Sequence, residues 1–164
     1  MMSTVQTASA AYLPTQEELD VTQRNRDHVR WIYECVNNGD FAGLAATRRP
    51  DYRLMQAPGH PAAGTWIGEE ATAVGGRGFA ALGTSSITVH EIVADGPHRV
   101  IGLIDLHGTD GDGNPWTMPV AECWWFEDGL MAEVRPFYWN MIEVQRIVGS
   151  RSDAGSPPAL HGPN

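Results

Sequence analysis

Asp105, His107 and Glu122 are the residues of this chain whose types and settings suit proton transfer. The first two lie in HRVIGLIDLHGT and the third in WTMPVAECWWF, runs otherwise rich in large apolar side chains. Charged groups inside strands built for burial need a partner or a task. Asp105 and His107 are two apart, so a regular strand projects both from one face, together with Ile101 and Leu103. On that reading they line a hydrophobic pocket, where the aspartate fixes the imidazole tautomer and raises its basicity. The plainer reading is a hydrated pair at a strand end. Glu122 shares its face with Val120 and Trp124, and a carboxylate among such neighbours has a raised pKa, which suits a general acid or base near neutrality. Both faces of its run are apolar, and a one-residue slip in register exchanges them, so periodicity leaves its face open. If the two runs pair as a hairpin, Glu122 stands opposite Ile101–Leu103, across the pocket from His107.

Other side chains complete the expected pocket. Tyr52 and Gln56 share one face of a short strand, and Tyr138 is placed to donate a hydrogen bond. His60 sits in a Gly/Pro loop, as a pocket rim or as an exposed histidine. Six tryptophans are many for this length. Trp66, Trp116 and Trp124 are expected as pocket walls, since aromatic walls suit a flat hydrophobic molecule. An exposed aromatic sheet face that pairs two copies explains the same residues. The six histidines show no HxH or HExxH spacing and the two cysteines sit in apolar contexts, so no metal site is expected. Gly75-Gly76-Arg77-Gly78 lacks the Lys-Ser/Thr of a phosphate loop, and no cofactor site is expected.

The elements that must position these groups are legible in order. Residues 1–15 read as a flexible arm. Thr15 is a helix N-cap followed by Glu17 and Glu18, and apolar spacing carries the helix to Asn38 and the stop at Gly39. Asp40 then caps a short second helix, with Phe41, Leu44 and Ala45 facing inward. Residues 51–56 suit a short strand and 57–64 a loop. A third helix follows Gly68, continuous or broken at Gly75-Gly76. From residue 84 the period changes to two. Strands are predicted over 85–94, 100–106, 116–126 and from 130 to 147 or 148, the last bent near Pro136. Residues 149–164 have the composition of a disordered tail, leaving 16–148 as one domain. Helices then collect on one side of a mostly antiparallel sheet, an α+β arrangement. Curved around the long first helix, that sheet forms a cone with a mouth at one end.

Composition narrows the partners. Asp and Glu outnumber Lys and Arg by 20 to 11, a formal net charge of -9, which argues against nucleic acid and anionic membrane surfaces. No window has the length of a membrane span and no secretory signal is visible, so a cytoplasmic location is the expectation.

The segments VNNGD, FAGLAATRRPDYRLM, GTWIGEEA and FEDGLMAEVRPFYWN resemble the NTF2-like superfamily, and more narrowly its SnoaL-like polyketide cyclase and ketosteroid isomerase-like branch. The resemblance runs from about Leu19 to Val148. It implies a cone with a deep apolar pocket, often paired through the outer sheet, in enzymes (isomerases, aldol-type cyclases, dehydratases, epoxide hydrolases) and in proteins that only bind or assemble. In the cyclase-like branch a histidine matching His107 and an acid near Glu122 often face the pocket. In limonene-epoxide-hydrolase-like members an Arg-x-Asp pair works with an aspartate on the final strand. Asp105 matches the first aspartate, but Leu103 replaces the arginine and Pro136 stands where the last acid would be, which disfavours that hydrolase. The expectation is therefore a cofactor-independent cyclase, isomerase or dehydratase of secondary metabolism. It would act on a hydrophobic polyketide- or terpenoid-like molecule, as a homodimer. The alternative is a non-catalytic binding or dimeric assembly domain.

Overall fold

The computed structural model describes residues 13–40 and 43–153. The first helix, α1 (Gln16–Asn38), starts with a reciprocal capping box: the Glu18 N–H donates to the Thr15 hydroxyl, and Glu18 accepts from the Thr15 N–H at 2.7 Å. Gly39, in the left-handed conformation, ends it. Its buried face carries Val29, Ile32, Tyr33 and Cys35. Side-chain amides pin α1 at its middle and near its C-terminus: Asn25 donates to the Pro97 carbonyl at 2.7 Å, and Asn37 both donates to and accepts from the Ile87 backbone. Leu44–Thr47 forms a single 3-10 turn, shorter than the expected second helix, whose Phe41 lies outside the described residues.

Then follow β1 (Arg48–Gln56), β2 (Gly64–Ile67), α2 (Gly68–Leu82), β3 (Thr84–Ala94), β4 (Arg99–Thr109), β5 (Pro115–Glu127), β6 (Leu130–Tyr138) and α3 (Met141–Asp153). The six strands form one sheet in the order β2-β1-β6-β5-β4-β3, with β1 and β6 parallel and every other pair antiparallel. This is the α+β architecture expected, a curved mostly antiparallel sheet against a long first helix. Val100, Gly102, Ile104 and Leu106 of β4 alternate inward with Trp116, Met118, Val120, Glu122, Trp124 and Phe126 of β5. A bulge in β3 between Val89 and Glu91 adds to the curvature.

Three local expectations need correction. The final strand stops at Tyr138, because Asn140 caps a new helix by accepting from the Glu143 N–H at 3.1 Å. Val144, Ile147 and Val148 then recur at helical spacing and are buried, so the helix runs through residues expected in the tail as far as Asp153. The bulge expected near Pro136 falls earlier, between the Trp125–Glu133 and Phe126–Met131 pairs. Pro136 sits beyond the last β1–β6 pair, Leu54–Val134, where its missing donor removes no bond to β1. The strand β2 had no sequence signal beyond Trp66. Glycines at 75 and 76 do not break α2. No helix among the described residues is long and apolar enough to cross a membrane.

Candidate active site

A cavity of about 670 Å³ opens between α1, β1, α2, the start of β3, and the inner faces of β5 and β6. Its walls are mainly apolar, with Ile32, Leu44, Leu54, Phe79, Ile87, Trp124 and Val134 among them. The glycine-rich α2 is part of the reason that it exists. Gly75, Gly76 and Gly78 all line it, so α2 presents no side chain at three of its lining positions. The lost helix propensity, about 1 kcal/mol per glycine, is offset by packing elsewhere along α2, where Val74 and Leu82 are buried.

Glu122 lies at the floor, 7% exposed. Its neighbours across the sheet are Gly102 of β4 and Pro136 of β6. The glycine leaves a gap that Tyr33 of α1 fills, close enough that its hydroxyl and ring carbons would collide with a Cβ at 102. The Trp124 indole donates to the Tyr33 hydroxyl at 3.1 Å, and that hydroxyl lies close enough to the Glu122 carboxyl to bias its ionisation. Burial pushes the Glu122 carboxyl up to about 7, with the Tyr33 hydroxyl pulling partly the other way. Burial, with the Glu122 charge nearby, also keeps Tyr33, Tyr52 and Tyr138 protonated well past their ordinary range. The floor is thus one titrating carboxyl and three phenols held as donors.

Tyr52, Gln56, Trp124 and Tyr138 line the cavity with Glu122. Three other expected lining residues are buried in the walls behind it. Trp66 donates to the Ala62 carbonyl at 3.0 Å, and Trp116 packs over Gly108. His60 stacks on Tyr138 with ring centroids 5.1 Å apart. Its Nδ1 accepts from the Ala62 N–H, so its one proton sits on Nε2, and burial pushes its pKa down to about 4. It is a neutral packing histidine beneath a cavity tyrosine, and neither a rim group nor an exposed one.

Asp105 and His107 do not share the hollow. They alternate outward on β4 while Glu122 points inward on β5, which puts the sheet between them. Asp105 hydrogen-bonds His90, the bulged residue of β3, at 2.8 Å. His107 bridges Thr88 and Thr117 at 2.8 and 3.0 Å. The expectation of one shared pocket fails because inward alternation on β4 falls to Val100, Gly102, Ile104 and Leu106. Replacing Asp105 by Asn or His107 by Ala is accordingly expected to change any turnover in the cavity by less than about threefold, read from steady-state rates of the purified variants.

Sequence reasoning passed over Tyr33, Arg48 and Arg77. A signal for Tyr33 was present: Gly102 interrupts an apolar strand, and a glycine there marks close approach of another group.

A family model for the SnoaL-like domain matches residues 29–134. The chain belongs to the SnoaL-like domain family. No curated protein sequence matches this SnoaL-like domain. Among solved structures it is similar to Bal32a from a soil-derived mobile gene cassette, at 22% identity and a TM-score of 0.69, covering 77% of this chain and 98% of that one. An NTF2-like protein of unknown function from Burkholderia pseudomallei K96243 has 22% identity and a TM-score of 0.66, covering 76% and 97%. TerC, co-crystallised with polyporic acid, has 14% identity and a TM-score of 0.66, covering 77% and 98%. At such identities the likeness establishes the fold of this SnoaL-like domain and leaves its reaction to the site. Proteins of this fold include enzymes and non-catalytic binders, and small hydrophobic molecules are common ligands.

Proposed function

We propose that this SnoaL-like domain is a cofactor-independent acid–base enzyme acting on a hydrophobic, polyketide- or terpenoid-like carbonyl compound. The observation that carries the reading is Glu122, a carboxyl titrating near 7 on the floor of an apolar cavity among three protonated phenols. A carboxylate with that pKa is poised to take a proton from carbon next to a carbonyl at neutral pH. The developing enolate oxygen would accept a hydrogen bond from Tyr52 or Tyr138 in a site with little water. The enolate then has three outcomes. Return of the proton to a different carbon is isomerisation, attack on a second carbonyl of the same molecule is aldol cyclisation, and loss of a β-oxygen is dehydration. The co-crystal of TerC with polyporic acid supports an organic ligand in a protein of similar fold.

The test does not need the natural substrate. Incubated in D2O with 2-tetralone, whose C1 proton is acidic, the wild-type protein is expected to speed deuterium incorporation, read by mass spectrometry, and the Glu122→Gln variant is not. Binding without exchange by wild type across a panel of such ketones would favour the carrier reading.

The outer sheet face, with Leu103 and Phe137 exposed beside half-buried Ile101 and Trp125, is proposed to pair two copies. Sedimentation is expected to give a dimer for the wild type and a monomer for Leu103→Arg combined with Phe137→Arg. A wild-type monomer at micromolar concentration would remove the dimer from the account.

A further inference from the structure

Two arginines line the cavity, Arg48 of β1 and Arg77 of α2, and neither enters an ion pair among the described residues. Outside the cavity, Arg24, Arg26 and Arg151 also enter no ion pair among the described residues, and the other six arginines, Arg30, Arg49, Arg53, Arg99, Arg135 and Arg146, do. What sets Arg48 and Arg77 apart is that both line the cavity. Arg48 is half-buried, its guanidinium lies 4.9 Å from the Tyr52 ring centroid, and one end donates to the Thr72 hydroxyl at 2.5 Å. These contacts hold the group in one orientation. Its Nε remains buried without an acceptor, an unsatisfied charged donor that a ligand oxygen would satisfy. Arg77 is exposed and Glu122 is not, so positive charge stands at the rim and the proton carrier at the floor. Among the described residues Glu122 is the one acid of the lining, and it is already engaged by Tyr33. Gln56 adds a second orphan in the wall, a buried Oε1 with no donor.

We infer that the cavity takes an amphipathic organic anion, its apolar body against Trp124, Leu54 and Val134 and its carboxylate or acidic enol held at the rim by Arg48 and Arg77. The inference rests on reading the cavity as a small-molecule site, and it deepens that reading by naming the charge of the ligand. The two arginines are specificity residues: they fix which end of the molecule enters first and therefore which carbon meets Glu122. A guanidinium is suited to this because its planar donors match an oxyanion and it stays charged at every working pH. The rim position lets the anion keep partial hydration, which avoids the cost of burying it whole.

The probes are 2-naphthoate and 2-naphthamide, equal in shape and different in charge. At low ionic strength the wild-type protein is expected to bind the naphthoate about tenfold more tightly, with the Trp124 indole N–H shifting in the NMR spectrum on titration of either probe. Arg48→Gln with Arg77→Gln is expected to abolish that preference while leaving the naphthamide affinity within about twofold. Arg77→Gln alone, at an exposed position that places no demand on folding, is expected to give an intermediate ratio. Equal binding of the two probes by wild type, or a preference that survives in the double variant, overturns the inference and leaves the small-molecule site standing. Failure of both probes to bind wild type overturns the inference and the cavity reading together. Loss of deuterium exchange with the charge preference intact overturns the catalytic reading alone.

Discussion

Replacing Glu122 by Gln is expected to lower the proton-transfer rate by about 10²–10⁴-fold, the usual contribution of a positioned acid–base group, while the protein stays folded. Gln keeps the shape and can still meet the Tyr33 hydroxyl, so the variant removes the proton-accepting oxygen and little else. The pH dependence follows from the same carboxyl. As a base it must be ionised, so kcat/KM in the wild type should rise with pH and level off above about 7. A profile that falls through this range would make Glu122 the acid and assign the base elsewhere.

The same variant has an opposite effect on stability, and this separates a functional carboxyl from a structural one. The Glu122 pKa is raised in the fold, so its proton is bound more tightly by the native than by the unfolded chain. Stability from that proton is fully present below about pH 4.5 and is lost as pH rises to about 7, amounting to about 3 kcal/mol. The amide introduced by Glu122→Gln is neutral throughout and escapes the loss. Urea denaturation at pH 5 and pH 8 should show the wild type weakening between the two while E122Q gains on it by a few kcal/mol. A residue that costs stability at working pH and abolishes turnover when neutralised is held there for its charge.

Much of the fold was legible because it rests on local chemistry: Thr15 and Glu18 mark a helix start, Gly39 its end, and the Asp128-Gly129 and Asp110–Asn114 turns bound the central strands. Alternation correctly grouped Ile101, Leu103, Asp105 and His107 on one face. It could not say which face of the sheet that was, because the outer face carries apolar residues too, with Leu103 and Phe137 exposed and Trp125 half-buried. The decision is made by α1, which covers one face and leaves the other open, and that is tertiary information. Glu122, Tyr52 and Tyr138 face the cavity for the complementary reason that large apolar neighbours in their own strands are buried beside them. Arg48 and Arg77 were missed because their chemistry appears only when β1 and α2 are brought together around one space. The helical end of the chain was misread because the Val144–Val148 run is short and follows directly on a strand.

Gly102→Ala is expected to destabilise the protein by about 1–3 kcal/mol and to damage the site at the same time. A Cβ there would lie 2.8 Å from the Tyr33 Cζ. Tyr33 has no easy retreat: it is 1% exposed, on the stretch of α1 between the anchoring amides of Asn25 and Asn37, with Trp124 edge-on to its ring. The clash must be relieved by tilting α1 or by turning the ring away from Glu122. Either response disturbs the Trp124–Tyr33 hydrogen bond and alters the carboxyl's environment, so the rate and its pH midpoint should both move. The coupling can be isolated by a double-mutant cycle. In a Tyr33→Ala background the space over residue 102 is empty, and adding Gly102→Ala should cost less than about 0.5 kcal/mol further in denaturant titrations. An undiminished cost in that background would place the strain in the β4 backbone, and the link between this strand glycine and the geometry of the catalytic carboxyl would then be lost.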